Sequence, residues 1–241
     1  MSETVIREVA KDVWIFSKPF SRFGVIPFGG RSTAIKLREG GVWVLASTPL
    51  ETETKAKIDE LGPVKYIVGP DISHHLYLGE FKKAYPDAKL IAVEEAIQKH
   101  QGEDIKFDGS WGKDAADTKY GFENDINWCF LKGFATKEVA FFHKDSKSLI
   151  EADLLFNMPP NEQYSKSQRV TFSVFTSRLL NPWSYAHKRL VWSGGSDKEA
   201  MRKDVKTVAE WDFKRIIPCH GDVIEKDGNK AWRELFKWYL D

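Results

Sequence analysis

Short apolar runs separated by turn residues fill the first third of the chain. Residues 13–16 and 32–37 are rich in β-favouring side chains, and a third such run, residues 42–45, follows a glycine-containing turn at residues 39–41. Because a turn between two β-favouring runs brings them alongside each other, the last two runs predict a β-hairpin.

Helical and extended patterns alternate in the next segment. Residues 51–61 carry apolar or small side chains at helical spacing and are followed by a Gly-Pro pair, a typical helix stop. Residues 64–68 then predict a buried strand, residues 76–85 a helix, and residues 90–93 another strand. This alternation predicts layered α and β structure.

The following part of the chain contains one long polar connection and one clear hairpin. Residues 101–125 are polar and rich in Gly and Asp, which predicts a surface connection. Residues 138–143 and 148–156 are apolar runs on either side of a polar turn and predict a second hairpin. Residues 157–192 are irregular, with several prolines and many aromatic side chains, and a segment of this length predicts a lid or a pocket lining.

Two helices complete the chain. Ser196 and Glu199 have the spacing of a capping box, which predicts that a helix begins there. A short strand-like run follows, and residues 230–240 predict a C-terminal helix. The chain has no internal repeat and no low-complexity tract, so we predict one domain over residues 1–241.

Charge and cysteine content narrow the functional classes. The 241 residues include 36 Lys+Arg and 35 Asp+Glu, a formal net charge of +1, so no strong field is available to bind nucleic acid or an anionic membrane. The two cysteines, Cys129 and Cys219, form no disulfide framework, which favours a reducing compartment. There is no basic–apolar signal at the N-terminus and no apolar stretch of about 20 residues. The sequence therefore predicts a soluble, cytoplasmic protein that contacts neither nucleic acid nor membrane.

Three of the six histidines stand where a predicted strand gives way to a loop. His74 and His75 follow one buried strand, His220 follows the last strand-like run, and Asp153 lies within the second predicted hairpin. Strand ends are where α/β proteins usually assemble their sites, and imidazole together with carboxylate suits Zn or Fe. We therefore predict that His74, His75, Asp153 and His220 bind one divalent metal ion.

The order of these segments resembles the metallo-β-lactamase-fold superfamily. The histidine-bearing loop, followed by Leu78-Gly79, a helix and Tyr85-Pro86-Asp87, resembles the first metal-binding segment of that family. Residues 148–156 resemble the strand with its bridging aspartate, and Pro218-Cys219-His220-Gly221 resembles its late Pro-Gly-His-Gly segment. The resemblance spans nearly the whole chain in the right order. It implies a mixed α/β or α+β fold, a four-layer αβ/βα sandwich.

The first metal-binding motif departs from the family pattern, which is His-x-His-x-Asp-His. If Gly79 is aligned with the glycine after the motif, His74 takes the second histidine position and the first is lost. If His74 or His75 instead takes the last histidine position, both earlier histidines are missing. The middle ligand is absent from residues 131–137, unless His143 substitutes for it. The resemblance therefore implies one metal in place of the family's two.

The resemblance and the ligand chemistry together predict a metal-dependent hydrolase. In the intact family two metals share a hydroxide that attacks a carbonyl or phosphoryl group, whereas three protein ligands suffice for one catalytic metal. We expect one divalent ion, Zn or Fe, and a small ester, thioester or lactone as substrate. Asp71 and His75 are the candidate catalytic residues, Asp71 as a base or as a partner of a metal ligand.

Two alternative hypotheses fit the same residues. The missing members of the motif favour a metal-free pseudoenzyme that binds a small molecule or a protein. The ligand types also suit an iron-dependent enzyme that is not a hydrolase. Metal content separates the first alternative from a hydrolase, and metal identity together with redox activity separates the second.

Overall fold

The computed structural model describes residues 3–167 and 179–241. The strands of this part of the chain are β1 (Val5–Ala10), β2 (Val13–Lys18), β3 (Ser21–Arg22), β4 (Ile26–Pro27), β5 (Gly30–Lys36), β6 (Val42–Leu45), β7 (Val64–Gly69), β8 (Lys89–Val93), β9 (Gly109–Trp111), β10 (Ile126–Leu131), β11 (Glu138–His143), β12 (Ser148–Glu151) and β13 (Arg215–Pro218). Its helices are α1 (Thr52–Leu61), α2 (Leu78–Ala84), α3 (Glu94–Gln98), α4 (Asn161–Tyr164), α5 (Tyr185–Gly194), α6 (Lys198–Ala209), α7 (Gly228–Leu235) and α8 (Lys237–Leu240).

Two mixed sheets organise the fold. The larger sheet has the strand order β1-β2-β5-β6-β7-β8-β9, antiparallel from β1 to β6 and parallel from β6 to β9. Helices α1, α2 and α3 connect its parallel strands, as parallel pairing requires crossover connections. The smaller sheet has the order β10-β11-β12-β13. In this sheet, as described, the β12–β13 pair is parallel and the other two pairs are antiparallel.

The main hydrophobic core lies between the two sheets. The ring of Trp43 on β6 lies 5.0 Å from that of Phe141 on β11, and Phe141 is 5.5 Å from Trp111 on β9. Because side chains alternate along a strand, Ala140 and Phe142 face the other side of β11, where helices α5 to α8 form a second core. Helices α1 to α3 cover the outer face of the larger sheet. This helix–sheet–sheet–helix order confirms the predicted four-layer αβ/βα sandwich.

Both predicted hairpins are confirmed as the antiparallel pairs β5–β6 and β11–β12. The helix predicted after Ser196 is confirmed as α6, but its N-cap is Asp197, whose carboxylate accepts a hydrogen bond from the backbone N–H of Ala200. Ser196 is engaged elsewhere, because its hydroxyl donates to the carbonyl of Gly133.

Two predictions about element boundaries are wrong. The segment 101–125, predicted as a surface connection, contains β9, and its Trp111 and Phe122 are buried in the main core. The strand predicted over residues 148–156 ends at Glu151, so Asp153 lies in the turn that follows β12. The turn forms because the backbone N–H groups after Glu151 donate to buried carboxylates instead of to a neighbouring strand.

The segment 157–192, predicted as a lid or pocket lining, contains α4 and most of α5. Residues 168–178 of this segment lie outside the described residues, and the lid role stays a prediction. No helix within residues 3–167 and 179–241 has the length and apolar character that a membrane span requires.

His187 on α5 should make the protein sensitive to acid. The side chain is fully buried and stacks on Phe156, with ring centroids 5.4 Å apart. Burial lowers the pKa of His187 to about 4. The unfolded chain takes up this proton near pH 6.5, so the contribution of neutral His187 to stability is present above that pH and is lost as pH falls towards 4.

We expect this loss to be about 3 kcal/mol in the free energy of unfolding. Urea unfolding of the wild type and of His187→Phe at pH 7 and pH 4 measures it, because phenylalanine keeps the stacking and does not titrate. The difference in stability between the two proteins should shift by that amount in favour of the variant at pH 4. Parallel pH dependence in the two proteins would contradict the prediction.

Candidate metal centre

Three side chains from separate loops converge at one end of the sandwich. His74 lies in the loop after β7, Asp153 in the turn after β12, and His220 in the loop after β13. His74 Nε2 lies 3.2 Å from His220 Nε2, and His220 Nε2 lies 3.3 Å from Asp153 Oδ1. The three ligand atoms are all within 4.8 Å of one another, and the side chains line a cavity of about 260 Å³. We call these three residues the ligand cluster.

The imidazole of His74 is held by Asp71. This aspartate is fully buried, and its carboxylate oxygens lie 3.0 and 2.9 Å from His74 Nδ1. Asp71 Oδ1 also accepts hydrogen bonds from the backbone N–H groups of Ser73 and His74, both at 2.7 Å. One carboxylate therefore shapes the loop and orients the ring that the loop carries.

His220 is fixed through its other ring nitrogen. Its Nδ1 lies 2.6 Å from the carbonyl oxygen of Gly29, which precedes β5. Gly221 follows with φ +90°, and a Cβ there would lie 2.3 Å from the backbone oxygen of Asn157. Because no side chain fits this left-handed position, glycine after His220 is a packing requirement.

Arg31 and Gln163 form hydrogen bonds with the backbone of the loop that carries His220. Arg31 is fully buried on β5, and its Nη1 donates to the carbonyls of Pro218 and Gly221. Gln163 Nε2 donates 2.8 Å to the carbonyl of Cys219, and Gln163 Oε1 accepts from the N–H of Gly221 at 3.0 Å. The backbone around His220 is thus hydrogen-bonded to side chains on both sides.

Two buried glutamates shape the turn that carries Asp153. Glu138 accepts hydrogen bonds from the backbone N–H groups of Ala152 and Asp153, at 2.6 and 2.9 Å. Glu151 Oε2 accepts from the two following N–H groups, those of residues 154 and 155, both at 3.0 Å. Both glutamates are fully buried, and burial raises the pKa of each well above its ordinary value.

The hydrogen-bond partners of the two histidines assign their tautomers. Asp71 and the Gly29 carbonyl offer only acceptors, so Nδ1 of His74 and Nδ1 of His220 must each carry a proton. In the neutral rings each Nε2 atom then carries a lone pair and no proton, and the two Nε2 atoms face each other across 3.2 Å. Such an arrangement requires a cation, a proton or a metal ion, at the point where the lone pairs meet.

The pKa values at the ligand cluster agree with this requirement. Burial alone would lower the pKa of His74, but the carboxylates of Asp71 and Asp153 outweigh it and raise the pKa to about 9. Burial would raise the pKa of Asp153, but the charges of His74, His220 and Arg22 lower it to about 2. The cluster therefore stabilises a positive charge at its centre.

A sequence-family profile for a domain of unknown function, DUF4336, matches residues 10–173, more than half of the chain. The chain belongs to the DUF4336 family. No curated protein matches it.

Solved structures similar to this DUF4336 protein share its fold. A metallo-β-lactamase from Pontibacter korlensis is 13% identical, with 99% of each chain covered and a TM-score of 0.60. A metallo-β-lactamase from Hirschia baltica is 11% identical, covering 99% of this chain and 98% of that one, with a TM-score of 0.61. A mutant flavo di-iron protein from Thermotoga maritima is 13% identical, covering 99% of this chain and 63% of that one, with a TM-score of 0.67. These likenesses confirm the metallo-β-lactamase fold.

The structure does not bring His75 to the ligand cluster. His75 Nδ1 lies 3.2 Å from His100 Nε2, and His100 Nδ1 lies 2.9 Å from the carboxylate of Glu103, at the edge of a different cleft. The turn that Asp71 forms directs His74 inward and the next side chain outward. Of the four predicted metal ligands, the DUF4336 protein places three together.

His143 and Cys219 have partners other than the ligand cluster. His143, the possible substitute for the missing middle ligand, hydrogen-bonds to Ser146, with its Nδ1 2.8 Å from the hydroxyl. Cys219 is buried, its thiol donates to the carbonyl of Arg31, and burial raises its pKa, so it behaves as a small core residue. Within the described ranges, His74, Asp153 and His220 are the only group of three or more such side chains close enough to share a metal ion.

Sequence reasoning missed the residues that support the cluster. Gly29, Arg31 and Gln163 carry no local signal of this role. Glu151 does carry one, because it is an acid within an apolar run, where an unpartnered carboxylate would be costly, whereas Glu138 follows Lys137 at the start of its run.

Proposed function

We propose that the protein binds one divalent metal ion, Zn or Fe, at His74, Asp153 and His220, and that it hydrolyses a small ester, thioester or lactone. The observation that carries this proposal is that His74 Nε2 and His220 Nε2 face each other across 3.2 Å beside the Asp153 carboxylate, while both Nδ1 atoms are hydrogen-bonded elsewhere. These are the donor types that both metals accept, and three protein ligands leave a position open for substrate or water.

The partners of the ligands support a metal centre. Histidines that bind metals usually donate their other N–H to a carboxylate or a backbone carbonyl, which fixes the tautomer and the direction of the ring. His74 has the first kind of partner in Asp71, and His220 has the second in Gly29. Because the donor set and its supports both suit such an ion, the residues present fit the metal.

A single metal ion is the stoichiometry we propose. The family motif needs more ligands for two metals, and His75 and His143 have other partners in this fold. A bound divalent ion would supply a Lewis acid for a carbonyl oxygen and would lower the pKa of a water molecule.

The protein's own residues would position the reactants. The Asp71 carboxylate already accepts two backbone N–H groups and the His74 ring, so of its two candidate roles we assign it the orientation of a ligand. The cavity wall includes Phe28 and Tyr77, whose rings would exclude bulk water around the reacting group. We assign no catalytic role to His75.

We further propose a small-molecule substrate and a cytoplasmic location. The cavity of about 260 Å³ suits a small organic molecule. The two cysteines are free and buried, which fits a reducing compartment.

Metal analysis of the purified protein tests the proposal. After gentle preparation, or after reconstitution with Zn or Fe(II), we expect one metal ion per chain by mass spectrometry of the dissolved metal. The loaded protein should hydrolyse members of a panel of 4-nitrophenyl esters, thioesters and lactones, and removal of the metal by a chelator should abolish the turnover.

The outcomes separate the competing functions. Absence of metal after reconstitution would overturn the proposal and favour a metal-free binding protein. Bound iron with redox activity, in a protein that hydrolyses none of the panel, would instead indicate a non-hydrolytic iron enzyme.

A further inference from the structure

Arg22 stands on the cavity wall close to the ligand cluster. It ends the short strand β3, and its guanidinium carbon lies 5.5 Å from the ring centroid of Phe23 and 5.9 Å from that of Phe28. The ring of Phe28 in turn lies 5.5 Å from the ring of His220. Only one aromatic ring therefore separates this positive charge from a metal ligand.

Arg22 makes no direct ion pair in the described part of the fold, although its charge also acts on the Asp153 carboxylate of the same cavity. Within residues 3–167 and 179–241 no ion pair involves its guanidinium, and the segment 168–178 contains neither Asp nor Glu. Lys18, the other cation on the same wall, is paired with the carboxylate of Glu51. Of the two, Arg22 is the cation that can meet an anion from solution.

The rest of the cavity mouth is apolar. Phe20 and Leu76 line the cavity and are 49% and 71% exposed, whereas most large apolar side chains of the described chain are buried. The edge of Phe28 and the ring of Tyr77 extend this surface inward. Exposed apolar side chains beside a pocket of this kind are typical of a ligand-binding surface.

We propose that this cavity binds a small anion with an apolar body, whose negative group pairs with Arg22 and whose body lies against Phe20 and Phe28. This inference rests on the proposed function, because it places the reacting group of the same molecule at the ligand cluster. Arginine suits the role, since its planar guanidinium binds carboxylate, sulfonate or phosphate oxygens in pairs and also stacks on aromatic rings.

The test compares two probes of nearly the same shape. Toluene-4-sulfonate carries the negative charge, and methyl 4-tolyl sulfone replaces one charged oxygen by a methyl group. Both are weak metal ligands, so their difference reports the anion site. Binding is measured by ligand-observed NMR titration with the wild type, Arg22→Gln and Arg22→Lys.

We expect the wild type to bind the sulfonate about tenfold more tightly than the sulfone, the ratio that one charge-assisted hydrogen bond provides. Arg22→Gln should bind the two probes equally, and Arg22→Lys should keep part of the preference. Arg202→Gln is the matched control, because Arg202 is also exposed and also lies over an aromatic ring, Trp192, but is remote from the cavity lining. It should retain the full preference.

Two results would overturn the inference. One is a wild type that binds neither probe, or both equally; the other is a preference that survives in Arg22→Gln. The metal content of the same samples keeps this test separate from the proposed function. If the protein retains metal but does not prefer the sulfonate, only the anion site is contradicted. If the protein prefers the sulfonate but cannot be loaded with metal, only the metal-dependent hydrolase is contradicted.

Discussion

Replacing His74 by alanine should abolish stoichiometric metal binding, whereas replacing His75, the next residue, should leave it intact. His74 contributes one of the three ligand atoms that lie within 4.8 Å of one another, and His75 faces His100 in another cleft. Loss of a residue that only supports a ligand costs 10- to 100-fold in metal affinity, so loss of a ligand itself should cost at least about 100-fold. Competition with a chromophoric chelator measures the zinc affinity of both variants.

The two variants control for each other. Both remove a histidine from the same loop, both leave Asp71 in place, and circular dichroism should show the same fold in each. Hydrolysis of a 4-nitrophenyl ester should follow the metal, with turnover lost in His74→Ala and kept in His75→Ala. Equal metal affinity in the two variants, or loss in His75→Ala alone, would show that the ligand cluster is not the metal site.

Local patterns were enough to predict most of the fold. Hairpins and strand–helix–strand units depend on turn residues and on hydrophobic periodicity within about ten residues, and β5–β6 and β11–β12 are confirmed on that basis. The segment 101–125 could not be predicted in this way. Polar residues dominate its sequence pattern. Its Trp111 and Phe122 are nevertheless buried, because they contact aromatic residues that lie far away in sequence, namely Trp43, Phe141 and Tyr66.

The candidate site, too, could be predicted from the sequence only in part. The order of the family-like segments along the chain was enough to predict that Asp153 and His220 lie together, because the resemblance assigned each of them to one such segment. The choice between His74 and His75 depends on a turn of a few residues. Asp71 followed by Ser73 is a signal for such a turn, because an aspartate often accepts the N–H two residues later, and that hydrogen bond is present at 2.7 Å.

The supports of the site depend on contacts that no local pattern contains. Arg31 and the Pro218 carbonyl are 187 residues apart, and Glu138 reaches backbone groups 14 residues away. An arginine within a strand of the core is nevertheless unusual, because charged side chains are almost never fully buried unless they are paired. The predicted strand covered only residues 32–37, however, so the sequence alone did not place Arg31 in the core.

Replacing this buried arginine by leucine, Arg31→Leu, should destabilise the protein by about 3–5 kcal/mol. Arg31 donates to Ser17, to the carbonyls of Pro218 and Gly221, and to the Glu162 carboxylate at 3.1 Å. Leucine would leave the carbonyls of Pro218 and Gly221 without this donor in a buried region and would remove one partner of Glu162, and the loss of one member of a buried charged pair has a cost of this size. Urea unfolding at neutral pH measures the change in the free energy of unfolding.

Arg7 offers a matched control, because it pairs with the same carboxylate from the surface. Its Nε lies 2.7 Å from Glu162, but its side chain is 36% exposed, so Arg7→Leu should cost less than about 1 kcal/mol. Arg31→Leu should also weaken zinc binding at least tenfold, since Pro218 and Gly221 flank His220 and their carbonyls would no longer be held, whereas Arg7→Leu should leave zinc affinity unchanged. Equal destabilisation by the two substitutions, or unaltered zinc affinity in Arg31→Leu, would mean that the buried guanidinium does not position the metal ligand.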